Sequence, residues 1–102
     1  MKTRTGNFPI GFRRGGTPWQ KELPALIKWA KANELEVIDL AKDAVEAAPV
    51  VRAAGLRVGS VDLLEWHGII AADKGKRAAA VAANSEYIKA CGGDTPVNYF
   101  LV

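Results

Sequence analysis

The sequence predicts an α/β domain built on a parallel sheet, and three observations carry that expectation. Short runs rich in β-branched and aromatic residues alternate with longer runs of helical periodicity, in the order β-α-β-α-β-α-β. Each helical run is long enough to cross from one parallel strand to the next, and such crossovers are right-handed. Of the 102 residues 49% are hydrophobic and 25% charged, the balance of a folded chain rather than a disordered one. One core fits in this length and two do not, so residues 1–102 read as a single domain.

The first strand is expected at Phe8-Pro9-Ile10-Gly11-Phe12, with its proline at the strand start or an edge. The second is Leu35 to Leu40 and the third Leu56 to Leu63, both with the β-branched content of buried strands. Val97 to Val102 is the fourth. Thr17-Pro18-Trp19-Gln20 resembles a capping box with proline at the first helical position. Leu23, Leu26, Ile27 and Ala30 then follow one helical face, and Pro24 makes the first turn irregular or starts the regular helix itself. Asp43 to Ala54 predicts a helix interrupted by Pro49 and closed by Gly55. Asp73 to Cys91 is the clearest helix, capped by Asp73 and stopped by Gly92-Gly93, with Cys91 expected beside Val81 and Ile88 on its apolar face. Ala32-Asn33-Glu34-Leu35-Glu36-Val37 echoes Ala54-Gly55-Leu56-Arg57-Val58: in each, a helix ends, turns tightly and enters a strand at a leucine.

Composition excludes several classes. Lys and Arg number 14 against 11 Asp and Glu, and the net charge of +3 is spread along the chain, which gives no footprint for nucleic acid. No apolar run is long enough to span a membrane. Met1-Lys2-Thr3-Arg4-Thr5-Gly6 lacks the apolar core of a signal peptide, so a cytoplasmic setting is expected. A single cysteine, Cys91, rules out an internal disulfide framework and a multi-thiolate metal site within the chain.

Ligands of parallel α/β folds bind at the carboxyl ends of the strands, which selects Arg13, Asp39, Asp62, Glu65, Trp66 and His67. Arg13-Arg14-Gly15-Gly16 reads either as an anion cradle, from guanidinium forks and glycine amides, or as a solvated turn. Asp39 stands where the second strand meets its loop, to bind a hydroxyl or a metal, or to cap the turn that follows. Asp62, Glu65 and His67 are the one cluster of carboxylates and imidazole, suited to acid–base work, but at no recognised metal spacing; the alternative is a polar loop pinned by a half-buried Trp66. Trp66 alone of the three tryptophans has the loop position of a ligand contact, Trp19 and Trp29 falling on helical packing positions. No motif of spacing declares an enzyme.

The order of segments adds a family resemblance. Phe8-Pro9-Ile10-Gly11-Phe12-Arg13-Arg14, Leu23-Pro24-Ala25-Leu26-Ile27-Lys28-Trp29-Ala30-Lys31 and Val37-Ile38-Asp39-Leu40 resemble the start of the sugar phosphate isomerase/epimerase family, xylose isomerase-like TIM barrels. Ala53 to Asp62 is similar to the family's third strand, and Ala72 to Cys91 to its third helix. The resemblance implies the N-terminal half of such a barrel, a parallel βαβαβαβ partial domain over residues 1–102, because a complete barrel has eight βα units in about 250 residues. It implies a small sugar or sugar-phosphate ligand near Arg13, Asp39 and the Asp62 to His67 segment. Where the family often has a glutamate after the second strand this chain has Asp39, and His67 lies several residues past the usual histidine of the third strand. A divalent metal is expected of full-length members, for metal-assisted isomerisation or epimerisation. The positions that bind it lie in the second half, so none is expected in the isolated chain and its standing as an enzyme is open. Four strands leave two open edges, which implies a homodimer or higher oligomer, closure by a second copy being one route. A chain stopping within its fourth strand also reads as a piece of a longer one. The alternative is a non-catalytic, self-associating module that binds an anionic sugar-like ligand. A zinc-dependent repair endonuclease of the same superfamily is disfavoured, since it would need several histidines.

Overall fold

The computed structural model describes residues 8–92 and 98–100, and the expected alternation is present with one helix more. The elements are β1 (Gly11–Arg13), α1 (Pro18–Lys21), α2 (Leu23–Ala32), β2 (Val37–Leu40), α3 (Ala44–Ala53), β3 (Arg57–Asp62), α4 (Lys74–Cys91) and β4 (Asn98–Phe100). The signal-peptide reading of Met1 to Gly6, the stop at Gly93 and the outer residues of the fourth strand (Val97, Leu101, Val102) lie outside the described residues. Among the described residues no helix is long and apolar enough to cross a membrane.

Proline decides the first crossover. Pro18 opens α1, and Glu22 then leaves helical geometry at φ −77° and ψ 88°. Pro24 sits in the first turn of the new helix, where a missing N–H leaves no bond unmade. The expected capping box does not form: the Thr17 hydroxyl donates to Gln20 Oε1 at 2.5 Å and accepts no backbone N–H. Pro49 does not interrupt α3, which runs through it, because Ala44, Ala47, Ala48 and Val51 anchor the opposite face in the core while Pro49 itself is exposed.

The echo in the sequence is an echo in geometry. After α2, the Glu34 N–H donates to Lys31 O (3.1 Å) and Leu35 N–H to Ala30 O (2.9 Å); after α3, Gly55 donates to Arg52 O (3.0 Å) and Leu56 to Val51 O (3.2 Å). Both are Schellman ends, each with its pivot in the left-handed region, Glu34 at φ 57° and Gly55 at φ 86°. In each the leucine after the pivot leads into a strand.

All four strands are parallel and stand in sequential order, β1-β2-β3-β4. One cluster joins Ile27 and Ala30 of α2, Ala44, Ala47, Ala48 and Val51 of α3, and Tyr87 and Cys91 of α4 to Ile38, Leu40, Val58 and Val61 of the sheet, so the three long helices cover one face. Alternation along β1 and β2 then turns Gly11, Arg13, Val37 and Asp39 to the other face. β3 breaks the alternation. Ile38 pairs with Val58 and Leu40 with Val61, so three steps of β3 oppose two of β2. This one-residue bulge seats both valines in the core and moves Asp62 to the face of Arg13.

The buried stripe of α4 is Ala80, Asn84, Tyr87 and Cys91. Cys91 is buried as expected, but Val81 and Ile88 are 56% and 39% exposed and lie off that stripe. In so alanine-rich a helix two stripes compete, and the one with the polar Asn84 wins because its amide has a partner in the loop after β3. Asp73 caps α4 as read from the sequence, accepting from Lys76 N–H at 2.8 Å.

Tyr87 donates to Ala41 O at 3.3 Å and neighbours Cys91. Burial pushes the Tyr87 phenol up, the nearby thiol adding to it, and burial likewise pushes the Cys91 thiol up. Both groups stay neutral in the fold and ionise more readily unfolded. Their contribution is complete below their ordinary values, about 10 for the phenol and about 8.5 for the thiol, and is lost progressively as pH rises from there towards the raised values of the fold. Urea midpoints are therefore expected to fall between neutral pH and about pH 10.5, and Tyr87→Phe to narrow that fall; an unchanged difference would remove the phenol from the account.

Candidate functional site

The carboxyl ends of three strands converge on charged residues. Arg13 ends β1, Asp62 ends β3, and Asp39 is the penultimate residue of β2. Arg13 reaches over β2 to clasp Asp62 with two parallel bonds, Nη1 to Oδ1 at 3.1 Å and Nη2 to Oδ2 at 2.6 Å. The carboxylate is buried whereas the guanidinium is half in solvent, at 6% and 50% side-chain exposure. The Asp62 hydrogen bonds, then its charge, hold the Arg13 guanidinium above its usual value, and Asp39 adds to this from a greater remove.

Asp39 pairs with Arg13 across the sheet, and its carboxylate lies over Gly59 so closely that a Cβ there would collide with Oδ1 and with Val37. Among the described residues that carboxylate makes no hydrogen bond, whereas the Asp39 carbonyl accepts from Arg14 N–H at 3.0 Å. Asp39 thus caps no turn: the N-cap position of α3 belongs to Asp43. An acceptor without a donor faces the uncovered side of the sheet.

Arg14 is committed within the fold and does not project from the basic loop as a free fork. Its Nε donates to Gln20 O at 2.9 Å, Nη2 to Lys21 O at 2.8 Å and Nη1 to Asp43 Oδ2 at 2.6 Å. It satisfies the last carbonyls of α1 and has no fork left for a ligand. The loop it fixes borders an open cleft of about 620 Å³ lined by Arg13, Arg14, Gly15, Gly16, Lys21 and Asp43 with Ala41.

Glu65, Trp66 and His67 occupy the longer loop after β3 and make no hydrogen bond or ion pair with Arg13, Asp39 or Asp62. Asn84 pins this loop: its Oδ1 accepts from Glu65 N–H at 3.0 Å and its Nδ2 donates to Glu65 O at 2.6 Å. Glu65 Oε1 accepts from Gly68 N–H at 3.0 Å, closing the turn. Trp66 is half-buried, as the alternative reading has it, and stacks on His67 with ring centroids 3.8 Å apart. Trp29 packs edge-on against Phe12 and Trp19 at 5.3 and 5.5 Å, yet it and Trp19 remain 41% and 46% exposed at the flank of β1.

Sequence reasoning missed Lys21 and Asn84. Lys21 reaches the cleft only because α1 stops at it, and the signal was Pro24, which forces that stop. Asn84 was an amide in an alanine-rich helix, a residue type disfavoured there without a partner. The divalent metal that the resemblance implies does not fit these residues: no three described His, Cys, Asp or Glu side chains come together to hold one, and both oxygens of Asp62 are bonded to Arg13.

Compared with protein-family models, with curated proteins and with solved structures, the chain matches none. The site therefore has to be read from its own chemistry. A half-exposed guanidinium, an unbonded carboxylate and a cleft with basic residues suit a ligand carrying both hydroxyls and an anionic group.

The two halves of the ion pair are unequal. Arg13→Met strands a buried carboxylate and should cost about 2–3 kcal/mol, whereas Asp62→Asn frees a guanidinium already half in water and should cost about 1 kcal/mol. Urea denaturation of both variants checks the order; equal losses would mean that Asp62 is not the desolvated partner.

Proposed function

We propose that the chain is the N-terminal half of a sugar phosphate isomerase/epimerase-like (βα) barrel, and that it supplies the substrate-binding rim of that barrel rather than its chemistry. The carrying observation is the sequential parallel order β1-β2-β3-β4 with Arg13, Asp39 and Asp62 at the carboxyl ends. Doubly wound sheets reverse their strand order and place helices on both faces; barrels keep the order and place helices outside. On this reading the uncovered face is the barrel interior, and Asp39 accepts from sugar hydroxyls while Arg13 faces the anionic end.

The clasp on both oxygens of Asp62 favours a binding role for that carboxylate over proton transfer. That keeps a second reading in play, a self-associating module that binds an anionic sugar. Both readings need the open edges of β1 and β4 to be paired, and a two-fold related copy presents β4 beside β1 twice over, in parallel.

D-ribose 5-phosphate titrated into the chain by calorimetry is expected to bind saturably, with Asp39→Asn weakening it about tenfold. Native mass spectrometry of the same sample is expected to report a dimer. No binding by the unaltered chain would overturn the sugar reading, and a monomer throughout the micromolar range would overturn closure by a second copy.

A further inference from the structure

Resting on the sugar-phosphate reading, we infer that the cleft beside β1 is the seat of the ligand's phosphate, held by the Gly15 and Gly16 amides and by Lys21, with Arg13 at its inner wall. Four observations carry it. The cleft is concave, with room at about 620 Å³ for a phosphomonoester and part of its alcohol. The Lys21 ammonium lines it and makes no hydrogen bond or ion pair with any described residue. The Gly15 and Gly16 N–H groups likewise donate to no described atom, and at Gly16 even a Cβ would meet nothing within 4 Å. Arg14 holds the loop in place through three bonds, so the amides are presented by a fixed backbone.

Charge sorts the two ends of the site. Arg14 is neutralised by Asp43 and Arg13 by Asp62, at 2.6 Å each, which among the described residues leaves Lys21 as the unspent cation of the cleft and Asp39 as the unspent carboxylate of the sheet face. Donors without acceptors lie at one end and an acceptor without donors at the other. A sugar phosphate meets both needs in one orientation, with phosphate towards Gly15, Gly16 and Lys21 and hydroxyls towards Asp39. A neutral sugar would leave the cleft donors unpaired, and inorganic phosphate would use the cleft alone.

The test follows amide resonances of the isotope-labelled chain while inorganic phosphate, D-ribose or D-ribose 5-phosphate is added. Phosphate is expected to move the Gly15 and Gly16 signals saturably, the sugar phosphate to move them at lower concentration, and ribose to leave them in place. Lys21→Met keeps helix propensity in an exposed position and should weaken phosphate about tenfold, while Lys21→Arg restores most of it. Glycine signals indifferent to phosphate, or equal affinity in Lys21→Met, would overturn the cleft as the anion seat even if the sugar phosphate still binds through Asp39. Phosphate binding at the glycines with no gain from the attached sugar would retain the anion seat and overturn the sugar-phosphate reading instead.

Discussion

A single extra residue in β3 determines what the sheet can do. With unbroken alternation Val58, Ser60 and Asp62 would share one face, and Val61 would point away from the helices. The pairing of Leu40 with Val61 shows the chain stepping once more than its neighbour between Val58 and Val61. Both valines then reach the core, and Asp62 emerges opposite Arg13. Burying a second β-branched side chain contributes on the order of 1.5 kcal/mol or more, so hydrophobic burial favours the bulge. The charged rim is its consequence. Gly59 sits within the bulged stretch because Asp39 and Val37 lie over its Cα with no room for a side chain.

Covering only one face follows from connection. Right-handed crossovers that always move the chain in the same direction put every helix on the same side. The chain packs apolar residues there: Ile38, Leu40, Val51 and Val61 are all fully buried in that cluster. The other face has no helix to supply contacts, and its residues are accordingly small or polar: Gly11, Arg13, Asp39, Arg57, Gly59 and Asp62, with Val37 half-buried between the two glycines. An uncovered face of isoleucines would aggregate. This one carries an ion pair and an unbonded carboxylate, which are features a ligand can use.

The elements were legible because each had local causes. Asp73 and Gly92 bracket α4, Gly55 ends α3, and the β-branched runs gave three strands to within two or three residues at their ends. Arg13, Asp39 and Asp62 were legible as residues at the carboxyl ends of strands, the place from which the rule for ligand binding selected them. What escaped was decided by pairings distant in sequence. The bulge depends on register with β2, which no periodicity within β3 reports. Arg14 looked like half of an anion cradle, and its three bonds to Gln20, Lys21 and Asp43 exist only once α1 folds back. Val81 and Ile88 out-ranked Ala80 and Asn84 on hydrophobicity alone, and the Asn84 amide was worth more because two backbone groups of Glu65 needed it.

The cations divide by the end of the sheet they serve. Helices run against the strands they follow, so the carboxyl ends of α2, α3 and α4 gather at the amino end of the sheet, where unsatisfied carbonyls carry partial negative charge. Lys31 of α2 donates to Ala54 O beyond α3 at 2.8 Å, and Arg52 of α3 donates to Cys91 O and Gly92 O of α4 at 3.0 and 3.1 Å. Each helix thus ties down the end of the next, and the crossovers are stapled in sequence order. Arg14 does the same for α1, but at the opposite end, because α1 is a single turn that never crosses the sheet. That exception draws a structural arginine to the rim of the cleft and fixes Gly15 and Gly16 beside it. Lys21, which lines the cleft and whose ammonium has no partner among the described residues, stands apart from these committed cations.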